Sequence, residues 1–121
     1  MNERTNALEA QLAFEQPLEQ HRTVLATFSW DADAELAVLS SSHIANVLSR
    51  FVAGRIVATD VEAWANAIEG RDDIGFESAK EQLLRELLHE LANPLLTQSL
   101  TRERAVQLLK EIEPPVARQT V

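Results

Sequence analysis

Leu83, Leu84, Leu87, Leu88 and Leu91 leave the segment from Glu77 to Ala92 little freedom. Steps of three and four put all five on one stripe of a helix, whereas a strand would scatter them over both faces. On the other side Glu81 and Arg85 stand four apart, the favourable order for a surface pair worth roughly 0.3 kcal/mol. Asn93-Pro94 ends this helix, because the residue before a proline is pushed out of helical geometry. The same period recurs in Leu36, Leu39, Ser40, His43, Ile44, Val47, Leu48 and Phe51. That stripe keeps its phase across Ser40-Ser41-Ser42 and predicts one long helix from about residue 34, capped by Asp31 or Asp33 and closed by Gly54 in a left-handed turn. The serines offer a competing start, capping a shorter helix that begins near His43. Thr59-Asp60-Val61-Glu62 has capping-box spacing, and Val61, Trp64, Ala65 and Ile68 then line one face as far as Gly70. A helix this short has to be held by burying Trp64. Residues 71–76 read as a loop. Thr101 caps a last helix carrying Ala105, Leu108, Leu109 and Ile112, which Pro114-Pro115 stops.

The first thirty residues are ambiguous. Asn6-Ala7-Leu8-Glu9 starts a helix that runs to Gln16 before Pro17. Val24, Ala26, Phe28 and Trp30 alternate with Thr23, Leu25, Thr27 and Ser29, as in a strand. Such a strand needs Glu35–Ser40 to fold back on it as a hairpin, which the helical stripe opposes. The expected fold is therefore all-α, a compact bundle of four to five helices, with an α fold bearing a small N-terminal β-hairpin as the alternative. The 121 residues suit a single domain over 1–121, with fraying expected over 1–20 and 116–121.

The chain has no cysteine, so disulfides, thiolate catalysis and cysteine-ligated zinc are excluded. Its N-terminal Met1-Asn2-Glu3-Arg4 lacks an apolar signal core and no apolar run approaches a membrane span, so a cytoplasmic location is the expectation. Glu86-Leu87-Leu88-His89 has the Glu-x-x-His spacing of di-iron bundles, but only one copy is present and it lies on the polar face. His89-Glu90 lacks the second histidine of a zincin helix. Asp31-Ala32-Asp33-Ala34-Glu35 opens like a calcium loop, yet Leu36 and Ser42 stand where glycine and a bidentate glutamate are needed. Three glycines are too few for a phosphate-cradling loop. Ser40, Ser41 and Ser42 precede His43 without a nucleophile-elbow context. None of the residues after His21, His43 and His89 matches a histidine phosphotransfer motif. No catalytic residue, cofactor or metal is expected, and the chain is not expected to be an enzyme.

What remains is charge. Eleven basic against nineteen acidic residues give a net charge of −8, which argues against nucleic-acid binding. Nine acids and three bases fall between Asp60 and Glu90, so six of the eight net charges sit there. Acidic helix faces commonly do no more than solvate a protein. The functional reading is a patch complementary to a basic partner, with Asp60, Glu62, Glu69, Asp72, Asp73, Glu77 and Glu81 as candidate partner-binding residues.

The run from Leu48 to Ile56 (Leu-Ser-Arg-Phe-Val-Ala-Gly-Arg-Ile), then Thr59-Asp60-Val61-Glu62-Ala63-Trp64-Ala65, resembles small bacterial immunity proteins. Glu69-Gly70-Arg71-Asp72-Asp73-Ile74 and Leu88-His89-Glu90-Leu91-Ala92-Asn93-Pro94 share the likeness. These are the acidic helical inhibitors encoded beside polymorphic toxins, including those of contact-dependent growth inhibition. The likeness covers residues 44–112 and brings no catalytic motif. It implies a cytoplasmic, cofactor-free, stoichiometric inhibitor that occludes one cognate protein toxin, often a basic nuclease, with no nucleic-acid or membrane partner of its own. The other reading is a non-catalytic helical adaptor or oligomerisation module with an acidic interaction surface, such as a homodimer.

Overall fold

A computed structural model describes residues 3–15, 23–28 and 35–112. In chain order it contains α1 (Glu3–Leu12), β1 (Ala37–Leu39), α2 (Ser41–Val52), α3 (Ala58–Asn66), β2 (Ile74–Phe76), α4 (Glu81–Ala92) and α5 (Arg102–Ile112), with a 3-10 turn at Ser78–Lys80 before α4. Helix accounts for 62% of it. The all-α expectation is thus right in its main part and incomplete, because β1 and β2 form a small parallel sheet: Ala37 pairs with Ile74, Val38 with Gly75 and Leu39 with Phe76.

That sheet corrects two readings. The long helix from residue 34 does not form; β1 occupies its first half and α2 begins at Ser41. Ala37 and Leu39 are buried and Val38 is 51% exposed. The buried residues Leu39, Ile44, Val47 and Leu48 satisfy a helical count although a strand supplies the first of them. The break is chemical. Ser40 is extended (φ −114°, ψ 167°) and its amide donates to His43 Nδ1 at 2.9 Å. The Ser41 amide donates to Glu77 Oε1 at 3.0 Å. Both satisfy amides that a continuous helix would have spent internally. The expected loop at 71–76 in turn holds β2.

The hairpin does not form either. Residues 23–25 make a single helical turn, closed where the Thr27 and Phe28 amides reach the Val24 and Leu25 carbonyls, and β1 pairs with β2 instead. Ser29, Trp30, Asp31 and Asp33, with the calcium-loop and capping readings placed on them, lie outside the described residues, as do His21 and residues 113–121.

Four boundaries follow from capping. α1 ends at Leu12, short of Gln16, in a turn that places Phe14 at φ +57°. α2 ends as expected, with Gly54 at φ +79°, its amide on the Phe51 carbonyl and the Arg55 amide on that of Arg50. α3 starts one residue before the expected capping box: Asp60 Oδ2 accepts the Val57 amide at 2.9 Å. α5 starts where expected, with Thr101 Oγ1 accepting the Arg104 amide at 3.1 Å.

One cluster of buried side chains draws on every element. Trp64 lies in it with no exposed surface, its indole N–H donating to the Gln11 carbonyl at 2.7 Å. One side chain thus docks α3 and satisfies the C-terminal end of α1. Arg104 grips Glu90 with two bonds of 2.7 Å and ties α5 to α4, and Lys80 Nζ donates to the terminal carbonyl of α5, at Ile112. Among the described residues no helix is long and apolar enough to cross a membrane.

Candidate functional site

The seven candidate acids separate by what their carboxylates already hold. Asp73 leaves the surface set: its side chain is 0% exposed. Arg71 grips it with two bonds of 2.9 Å, and Arg4 of α1 adds a third at 2.9 Å. Burial alone would raise this carboxyl, but the two guanidiniums outweigh it and hold it below its ordinary value. Its backbone carbonyl accepts the amides of Leu36 and Ala37 at 2.8 and 3.2 Å. Asp73 therefore joins α1, β1 and the entry to β2 from inside the molecule.

Glu77 spends one oxygen on the N-terminus of α2, and the Ser41 amide bond is the main reason its carboxyl lies below the usual range. Asp60 caps α3. Glu69, just beyond the end of α3, meets the end of α4, with Oε2 2.9 Å from His89 Nδ1 and Oε1 accepting Asn93 Nδ2 at 3.0 Å. Glu81 pairs with Arg85 on the surface at 2.9 Å, and Arg85 lies 4.4 Å over the Phe76 ring. Glu62 and Asp72 alone among the seven make no hydrogen bond or ion pair with the described residues. Asp72 borders a cavity of about 230 Å³ that Glu35, Glu69 and Arg85 also line.

The two histidines among the described residues, His43 and His89, hold structural posts. His43 Nδ1 accepts the Ser40 amide and lies 3.2 Å from Ser40 Oγ, which is 2.8 Å from Ser42 Oγ. The contact has the members of a serine–histidine dyad, but the lone pair a general base would need is already bonded to the backbone. Burial lowers the imidazole's pKa, with Glu9 opposing. His89 pairs with Glu69, and Glu86 receives a bond from Gln82 at 3.2 Å. Among the described residues no three His, Asp or Glu are placed to share a metal ion.

Two clefts flank the outer side of α3. One, of about 610 Å³, runs between Ala63, Asn66 and Ala67 and the turn at Leu25-Ala26. The other, of about 350 Å³, lies between Ala58 and Thr59 and the segment after α4, where Leu91, Pro94, Leu95 and Leu100 line it. Glu62 borders both. The segment after α4 carries two exposed apolar side chains outside the candidate set: Leu95 is 100% exposed and Leu96 78%. Its turn is firmly built. The Leu96 and Thr97 amides both donate to the Asn93 carbonyl at 3.0 Å, and Thr97 Oγ1 sits 2.9 Å from that oxygen and 3.1 Å from the Glu90 carbonyl. Two adjacent leucines directly after Asn93-Pro94, past the end of the helix that would have buried them, were the available signal.

No family model matches this chain, and neither a curated protein nor a solved structure does.

Proposed function

We propose that this protein is a stoichiometric inhibitor of the immunity-protein kind, which neutralises a basic cognate toxin domain by charge-complementary occlusion. The observation that supports it most is the acidic imbalance left once the buried Asp73–Arg71 pair is set aside. Eight acids and two bases then remain between Asp60 and Glu90, a surplus of six negative charges, of which Arg104 offsets the one on Glu90. Among the described residues the Glu62 and Asp72 side chains have no partner, and Glu81 is paired along its own helix. A field of one sign steers an oppositely charged partner and sets its orientation. The histidines and carboxylates already engaged in caps and inter-helix bonds fit a binding role better than a catalytic one. The resemblance over residues 44–112 points the same way and implies a cytoplasmic setting.

The test is surface plasmon resonance of the purified chain against the product of a toxin gene adjacent to its own. Saturable one-to-one binding that weakens with salt is expected, together with loss of toxin activity in the mixture. A folded chain that leaves that toxin unbound and active would remove the reading for that pair.

A further inference from the structure

The turn after α4 holds two leucines in water by hydrogen bonding, where a slack loop would let them fold onto the core. Four contacts to the Asn93 and Glu90 carbonyls fix the backbone at Leu96-Thr97. Asn93 is itself tied down, its Nδ2 donating to Glu69 Oε1 and to the His89 carbonyl. Rigid, contiguous apolar exposure beside an apolar cleft is the usual mark of a docking surface. Leu95 borders the cleft of about 350 Å³, and Val57, 59% exposed, stands next to Ala58 on its α3 side.

The charge around this surface selects its occupant. The segments that build it, residues 57–69 and 89–100, contain Asp60, Glu62, Glu69 and Glu90 and no lysine or arginine. Glu90 is neutralised by Arg104, while Glu62, which lines the cleft, has no side-chain partner among the described residues. A second copy docking through the same patch would set this acidic surface, which has no lysine or arginine of its own, against an identical one, and like charges juxtaposed across an interface cost several kcal/mol. We infer that Leu95, Leu96 and the cleft beside them form the docking surface for a protein segment that inserts an apolar side chain and flanks it with lysine or arginine. This deepens the proposed inhibitor reading and rests on it for the biological partner, but not for the surface itself.

The experiment uses two synthetic amphipathic helical peptides with the same leucine stripe, one flanked by lysines and one by glutamates. Each is titrated into the isotopically labelled full chain and followed by amide chemical shifts. The lysine peptide is expected to give saturable shifts at Thr59, Glu62, Leu91 and Leu95 to Leu100, and the glutamate peptide none. Leu95→Ser/Leu96→Ser and, separately, Glu62→Lys should each weaken binding at least about tenfold while leaving the remaining spectrum folded. Equal shifts from both peptides, shifts centred elsewhere, no binding, or full affinity in the leucine variant would overturn the surface. So would a homodimer in sedimentation that the leucine variant abolishes. The toxin assay fails independently: a toxin that binds the leucine variant unchanged leaves the inhibitor reading standing and removes this surface from it.

Discussion

Asp73 shows how far a single carboxylate can be from what its neighbours in sequence suggest. Asp72-Asp73 reads as an exposed acidic pair in a loop, yet Asp72 faces water and Asp73 lies between two guanidiniums, with the Arg71 side chain only 3% exposed. Breaking a buried pair strands its partner, so Asp73→Asn should cost about 3–5 kcal/mol in urea denaturation; a loss below about 1 kcal/mol would show that water replaces the carboxylate. Reversing Asp73 to lysine, which a surface reading would treat as harmless, should unfold the chain. His43 makes a pH-dependent contribution. Burial lowers its pKa in the folded chain, so the unfolded chain takes up the proton first as the pH drops. The stability from the neutral ring is complete above about 6.5 and is lost as the pH falls through the lower folded value. His43→Gln keeps an acceptor for the Ser40 amide without titrating, so its denaturation midpoint should fall less between about pH 7.5 and about pH 5.5 than the wild type's. Equal slopes would place the pH sensitivity elsewhere. Trp64 was legible from sequence alone, because a short helix has few other ways to dock. Trp64→Ala should cost roughly 3–5 kcal/mol by calorimetry or denaturant.

Whole elements were legible where one period ran without competition, as in α4 and α5, and illegible where polar side chains offered the backbone a better bargain. Nothing in the spacing of Leu36, Leu39, Ile44 and Val47 separates a helix from a strand followed by a helix. The decision lies in long-range bonds, Glu77 to the Ser41 amide and the Asp73 carbonyl to the amides of Leu36 and Ala37, which no local pattern contains. β2 was missed for the same reason, since three residues are too few to display a period. Two glycines, one just past α2 and one in the middle of β2, make a matched test. Gly54 sits at φ +79° with open space around its Cα, so Gly54→Ala should cost about 1–2 kcal/mol through backbone strain alone. Gly75 has no such dihedral; the carboxylate of Glu35 occupies the place a side chain would take. That group ends a flexible, exposed side chain and can swing aside, so Gly75→Ala should cost less than about 1 kcal/mol. Thermal denaturation of the two variants checks the order, and a larger loss at Gly75 would show that Glu35 is held where it lies.

On the scale of the molecule, the net charge of −8 is the property a partner meets first. Charges beyond roughly 8–10 Å are screened at ordinary ionic strength, so steering depends on acids clustered on one face more than on the total. Glu62→Lys, Asp72→Lys and Glu81→Lys together shift the net charge from −8 to −2. They break one exposed helix pair and touch neither the Asp73 cluster nor any cap, so the circular dichroism spectrum should keep its helical form. If these acids guide a basic toxin, the triple variant should associate at least about tenfold more slowly and lose most of its salt dependence, since rim charges act on encounter. Glu62 is the exception to separate out. It reaches into a cleft that a docked side chain would dry, so Glu62→Lys alone should accelerate dissociation, while Asp72→Lys and Glu81→Lys act on association. Plasmon resonance of the single and triple variants at two salt concentrations resolves these contributions. Kinetics unchanged in a folded triple variant would mean that the surplus acid only keeps the protein hydrated, and that recognition rests on the leucine turn alone.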